Sequence, residues 1–115
     1  MEKYDLYING NWEKPSSGNY FESDNPYSGE IWAKIAQGNE EDVNFAVKAA
    51  KSAFEDHWES MKPTERGKIL VRLAELIERD ASRLGEIEVK DNGKLFAEMG
   101  AQTKYLAEWY RYFGG

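Results

Sequence analysis

The chain has 115 residues, 41% of them hydrophobic and 31% charged, with a formal net charge of −6. That length allows one modest core, and the acidic balance argues against a nucleic-acid partner, because phosphate backbones are repelled. Cysteine is absent and His57 is the sole histidine, which excludes disulfides, thiolate or multi-histidine metal sites and a cysteine nucleophile among these residues.

No apolar run approaches the ~18 residues that cross a bilayer, so no membrane partner is expected. The opening Met1-Glu2-Lys3-Tyr4-Asp5 is polar and does not read as a secretory signal. The expected compartment is the cytoplasm.

Residues 1 to 37 read as strands and turns. Tyr4, Leu6 and Ile8 alternate with Asp5 and Tyr7, the period of a half-buried strand. Asn9-Gly10 is the dipeptide that best tolerates the positive φ angles of a tight hairpin turn, and Trp12 lies on the return strand. Pro15-Ser16-Ser17-Gly18 is a loop. Tyr20-Phe21-Glu22 begins an extended run that stops at Asn25-Pro26, since Pro26 biases Asn25 away from helix and cannot donate to a ladder. Tyr27-Ser28-Gly29 turns the chain into a further strand over residues 30–36.

From Asn39 to the end, residues 39–115 read as helices. Asn39 is a good N-cap, and Glu40, Glu41 and Asp42 complement the positive end of the helix dipole. Val43, Ala46, Val47, Ala50, Ala53 and Phe54 recur at helical spacing, with an end expected near Trp58. Pro63 suits the first turn of a second helix, whose apolar stripe is Ile69, Leu70, Leu73, Leu76 and Ile77. Asp80 is expected to cap a continuation through Leu84, Ile87 and Val89, stopped at Asn92-Gly93. A last helix from about Leu95 is expected to bury Phe96, Met99, Leu106, Trp109, Tyr110 and Phe113.

The fold class expected is α+β: a small antiparallel β-hairpin or sheet followed by three to four amphipathic helices, taken as a single incomplete unit over residues 1–115. Strand and helix do not alternate, so no nucleotide-binding sheet is expected.

The short motifs have plain readings. Asp91-Asn92-Gly93-Lys94 has Glu88 and Leu95 where a phosphate loop requires glycine and Ser or Thr, so it reads as a helix stop. His57 reads as a cation at a helix end rather than a catalytic group. The acidic pairs Glu40/Glu41 and Glu86/Glu88 read as solvated helix surface. The aromatics Trp109, Tyr110, Tyr112 and Phe113 lack the basic residues of a nucleic-acid platform and read as packing surface.

Five strings, in order, resemble the aldehyde dehydrogenase family. They are residues 6–12 with Asn9-Gly10-Asn11-Trp12, the Asn25-Pro26-Tyr27-Ser28-Gly29-Glu30 turn, Glu65-Arg66-Gly67 leading into Leu73-Ala74-Glu75-Leu76-Ile77-Glu78, Asp91-Asn92-Gly93-Lys94, and Tyr110-Arg111-Tyr112-Phe113-Gly114-Gly115. The departures are Ser28 for the usual threonine and Leu95 where proline is frequent.

The resemblance implies the N-terminal part of that α/β fold, without its nucleotide-binding sheet. It also implies an NAD(P)-dependent oxidation of an aldehyde to a carboxylic acid. The cysteine, the glutamate, the oxyanion-hole asparagine and the cofactor loop of that reaction lie beyond the matched strings. No catalytic or cofactor-binding residue is therefore assigned, no NAD or NADP is expected on this chain alone, and the chain alone is expected to be inactive.

Two peripheral features carry over. The resemblance implies a monovalent cation, Na+ or K+, held by oxygens at Ser23, Asp24 and Asp91, chemistry that suits hard cations; the plainer alternative has Asp91 hydrogen-bonding locally at the helix end. It also places Ala101 and Tyr105 at the mouth of an aldehyde tunnel. Partners expected are a homo-oligomer or the remainder of the enzyme. A non-enzymatic module that self-associates or docks through its aromatic helix is the alternative function.

Overall fold

The computed structural model describes all residues, 1–115. It contains small sheets followed by four helices, as the α+β reading requires. The chain divides into two compact units: Met1–Asp24 with Gly29–Ser60, and Asn25–Ser28 with Met61–Gly115. The sequence pattern divides where strands give way to helices, near residue 38, within one unit. The first helix falls in the same unit as the strands.

The first unit holds strands β1 (Glu2–Tyr4), β2 (Leu6–Ile8), β3 (Asn11–Glu13), β4 (Tyr20–Asp24) and β5 (Ile31–Ala36), then helix α1 (Glu40–Ala53). The alternation from Tyr4 to Ile8 is not one strand. Asp5 interrupts it, and the two halves pair differently. β2 and β3 form the antiparallel hairpin, with Asn9 at φ 53° and Gly10 at φ 79° supplying the two left-handed turn residues. β1 instead runs parallel to β5, which is antiparallel to β4 on its other side, so the three-stranded sheet is mixed. The Asp5 carboxylate at the break accepts a 2.6 Å hydrogen bond from the Tyr20 hydroxyl. That bond is the leading cause that pushes the Tyr20 pKa up to about 12.

Helix α1 starts as its sequence dictates. The Asn39 side chain accepts from the Asp42 N–H, and the Asp42 carboxylate accepts from the Asn39 N–H, a reciprocal capping box. Asp42 also accepts from the Ser16 N–H at 3.0 Å, tying the Pro15–Gly18 loop to the helix. These bonds favour the charged carboxyl and hold its pKa below the ordinary value, the Asn39 backbone bond first. A depressed carboxyl pKa contributes stability above its unfolded value and loses it as pH falls through the folded one. We expect Asp42→Asn to lower the denaturant midpoint at neutral pH, with the wild-type advantage shrinking below about pH 4. An advantage that is flat down to the lowest pH would exclude the carboxyl as its source.

Helix α1 is followed by a five-residue π-helical turn, Phe54–Trp58, where an ordinary helix end was expected. Of the expected apolar stripe only Ala46 turns inward, beside Asp42 and Ala49; Val43, Val47, Ala50, Ala53 and Phe54 are exposed.

The second unit holds α2 (Pro63–Arg79), α3 (Ala81–Asn92) and α4 (Phe96–Gly114). Pro63 stands in the first turn of α2, where no N–H is missed. Asp80 lies between α2 and α3 but does not cap with its side chain; its carboxylate binds the Arg79 guanidinium at 2.8 and 2.9 Å. Gly93 closes α3 at φ 73°, its N–H donating to the Val89 carbonyl. The absent Gly93 side chain also makes room for the turn before β5: a Cβ there would lie 3.1 Å from Pro26 Cβ. The Asn-Pro turn and the Asp-Asn-Gly-Lys stop, far apart in sequence, therefore meet.

The inward side of α4 is Met99, Thr103 and Ala107, and Gly67, Ala74, Ala81 and Gly85 are buried on α2 and α3. Phe96, Leu106, Trp109 and Phe113, expected inside, are exposed; only Met99 is buried and Tyr110 half-buried. Small residues let the helix axes approach closely, and the bulky ones are left on the outer side.

Candidate functional site

The resemblance points to α4, and its outer face carries a concavity. Ala101, Gln102, Tyr105, Leu106 and Trp109 line an open hollow of about 490 Å³. Ala101, Tyr105 and Trp109 recur every four residues, so a helix stacks them on one face. The Tyr105 and Trp109 rings meet edge to face, with centroids 6.4 Å apart. Ala101 and Tyr105 were expected at a tunnel mouth; Gln102, Leu106 and Trp109 were not. The i, i+4, i+8 spacing from Ala101 to Trp109 was the available signal, and it was masked by reading Trp109 as core. The face is almost entirely apolar. Gln102 is its one polar side chain of amide type, and Tyr105 its one hydroxyl. Such a surface can hold an organic group and exclude water, but it has no nucleophile, general base or metal ligand.

The other hollows in the second unit offer less. One, of about 530 Å³, lies between α2 and the end of α4 and contains Lys68 and Arg72. Each of these cations is already paired, Lys68 with Glu65 at 2.9 Å and Arg72 with Glu75 at 2.6 Å. Another runs along α2 past Met61, Ile69, Leu73 and Leu76 and is apolar. In the first unit, His57 borders an apolar hollow with Ala50, Ala53, Phe54 and Trp58.

Of the residues expected to hold a cation, Ser23 and Asp24 close β4 in the first unit, and Asp91 lies in the last turn of α3 in the second. No group of three or more histidine, aspartate or glutamate side chains is placed to hold a metal ion. The expected ligands include backbone oxygens, which such a cluster does not address. No helix is long and apolar enough to cross a membrane.

A small mixed sheet is followed by four helices, the last of which carries an apolar hollow on its outer face. The aldehyde dehydrogenase family profile matches residues 12–115, and the chain belongs to that family. Over its full length it is 44% identical to (Z)-2-((N-methylformamido)methylene)-5-hydroxybutyrolactone dehydrogenase of Acinetobacter baylyi, of which it spans 23%. It is 45% identical to mitochondrial aldehyde dehydrogenase of Rattus norvegicus over 91 residues, 77% of this chain and 18% of that protein. The NAD+ complex of aldehyde dehydrogenase from Bacillus cereus matches with a TM-score of 0.93 at 36% identity, over 99% of this chain and 24% of the other. NAD-dependent aldehyde dehydrogenase from Sinorhizobium meliloti matches with a TM-score of 0.95 at 26% identity, over all of this chain and 24% of the other. The chain thus spans about a quarter or less of the relatives it matches, and corresponds to the N-terminal segment of their fold.

Proposed function

We propose that these residues serve as the N-terminal segment of an NAD(P)-dependent aldehyde dehydrogenase that converts an aldehyde to a carboxylic acid. Their part is to supply one apolar wall against which the aldehyde's organic group rests. The observation that carries this is the face of α4: Ala101, Tyr105 and Trp109 stacked around a hollow, on a segment matched by the family profile almost throughout. NAD(P) supplies hydride acceptance when bound to such an enzyme. None of the residues here offers the thiolate that would attack the aldehyde, since cysteine is absent. What this chain's own residues do is bind and exclude water: an apolar wall removes solvent from the aldehyde's substituent and leaves the carbonyl to groups elsewhere.

The 115-residue chain mixed with acetaldehyde and NAD+ is expected to give no NADH. An aldehyde dehydrogenase in which residues 1–115 are this segment is expected to give it readily. NADH from the short chain alone would overturn the assignment of the chemistry to other segments.

A non-enzymatic docking module is the second reading, favoured by the exposed aromatic side of α4. In its self-associating form it requires a second copy, so a monomer whose sedimentation does not change with concentration would count strongly against it.

A further inference from the structure

Helix α4 is seated at both ends by contacts between helix backbones. Near its start, Gly85 of α3 lies against Met99 and Gly100, where a methyl group would sit at 3.5 Å, an ordinary contact. Near its end the fit is tighter. A Cβ on Gly67 of α2 would press on the Gly114 carbonyl oxygen, far inside van der Waals contact. A Cβ on Gly114 would stand 2.9 Å from the Gly67 carbonyl oxygen and 3.0 Å from Val71 Cγ2. The obstacle at Gly67 is main chain, so no change of rotamer relieves it.

Beside this crossing, Arg111 fixes how α4 is rotated. Its guanidinium donates to Glu78 of α2 and to Glu108 of its own helix, each at 2.6 Å. Between the two seats the buried side of α4 is Thr103 and Ala107, which allow the close approach. A helix with every backbone bond in place moves as a rod over a few turns. Where its inner side is seated therefore decides where its outer side stands. The outer side is the hollow of Ala101, Gln102, Tyr105, Leu106 and Trp109, and Gly67, Glu78, Arg111 and Gly114 are not among the residues that line it.

We propose that the Gly67–Gly114 crossing, with Arg111 bound between Glu78 and Glu108, sets the position and tilt of the aldehyde-facing wall on α4 and so helps determine which aldehydes are accepted. This rests on the functional reading above. Gly67, Gly114, Arg111 and Glu78 are positioning residues: they touch no substrate. A methyl group at residue 67 pushes the end of α4 away from α2, with the Gly85 contact as the pivot. Trp109, farther from that pivot, moves more than Ala101, and the wall tilts.

The test uses a full-length aldehyde dehydrogenase whose residues 1–115 are this segment, assayed with acetaldehyde and benzaldehyde. Gly67→Ala is expected to change the ratio of the two KM values about tenfold while kcat for acetaldehyde stays within about twofold, the effect of a misplaced apolar wall rather than of lost chemistry. Glu78→Gln keeps the side-chain shape at an exposed position, removes the charge that holds Arg111 to α2, and is expected to shift the ratio the same way by a smaller factor; it serves if Gly67→Ala does not fold. Gly85→Ala, an ordinary contact, is expected to leave the ratio unchanged. Variants that scale both aldehydes together, or change neither, overturn the proposal. A parent enzyme that oxidises no aldehyde overturns the functional reading, and this inference with it.

Discussion

Replacing Gly67 by alanine is expected to lower the stability of the second unit by about 2 kcal/mol net. Two opposing terms set that figure. Alanine inside a helix is favoured over glycine by about 1 kcal/mol. Overpacking a closed contact costs about 3 kcal/mol when the neighbour cannot yield, and here the neighbour is the Gly114 main chain. Steric cost wins. Two other helical glycines supply the controls. At Gly85 the added methyl meets ordinary contacts of 3.5 Å, and at Gly100 nothing lies within 4 Å. Gly85→Ala and Gly100→Ala should therefore each gain about 1 kcal/mol from propensity alone. Denaturant midpoints of the three variants check the order. Equal midpoints for the alanines at 67 and 100 would mean that α2 and α4 do not cross where they are placed.

What the sequence discloses and what it hides follow one physical division. Caps and turns are local, and most were legible: Asn9-Gly10 in the hairpin, Asn39 at the start of α1, Pro63 in α2, and Gly93 after α3, whereas Asp80 turns its side chain to Arg79 instead of capping α3. Pairing is not local. The alternation through Tyr4, Leu6 and Ile8 has the same period whether it is one strand or two, and nothing in it says that β1 lies parallel to β5. The π-helical turn Phe54–Trp58 has no compositional mark that separates it from a helix end.

The helix faces were misread for a different reason. A hydrophobic stripe identifies a side that avoids water in the finished protein, and these residues are about a quarter of such a protein's length. Val43 and Val47 on α1, and Phe96, Leu106 and Trp109 on α4, are apolar but exposed among these residues. The contacts within the chain use the small side instead, which a reading weighted toward bulky residues overlooks. The candidate hollow was half legible on the same account. Ala101 and Tyr105 came from resemblance, while Trp109 was assigned to the core it does not enter.

That division has a measurable consequence on α4, where Met99 and Trp109 were expected to do the same work. Met99 is fully buried, the largest side chain in the chain to be so; Trp109 is 55% exposed. Met99→Ala removes buried apolar atoms and leaves a cavity between helices whose closest contacts are already formed, so little collapse is available. The expected cost is about 3 kcal/mol. Trp109→Ala in the same chain should cost about 1 kcal/mol, chiefly the edge-on contact with Tyr105. Volume alone orders the pair the other way, because tryptophan loses more atoms, so the comparison separates burial from size. Chemical denaturation of the two variants decides it. In a longer aldehyde dehydrogenase carrying this segment, the cost of Met99→Ala should stay nearly the same, since its surroundings are complete here. The cost of Trp109→Ala should rise to the extent that other parts of the enzyme cover the hollow. A Trp109→Ala cost that equals that of Met99→Ala in the 115-residue chain itself would show that the outer face of α4 is already buried, by repacking or by a second copy.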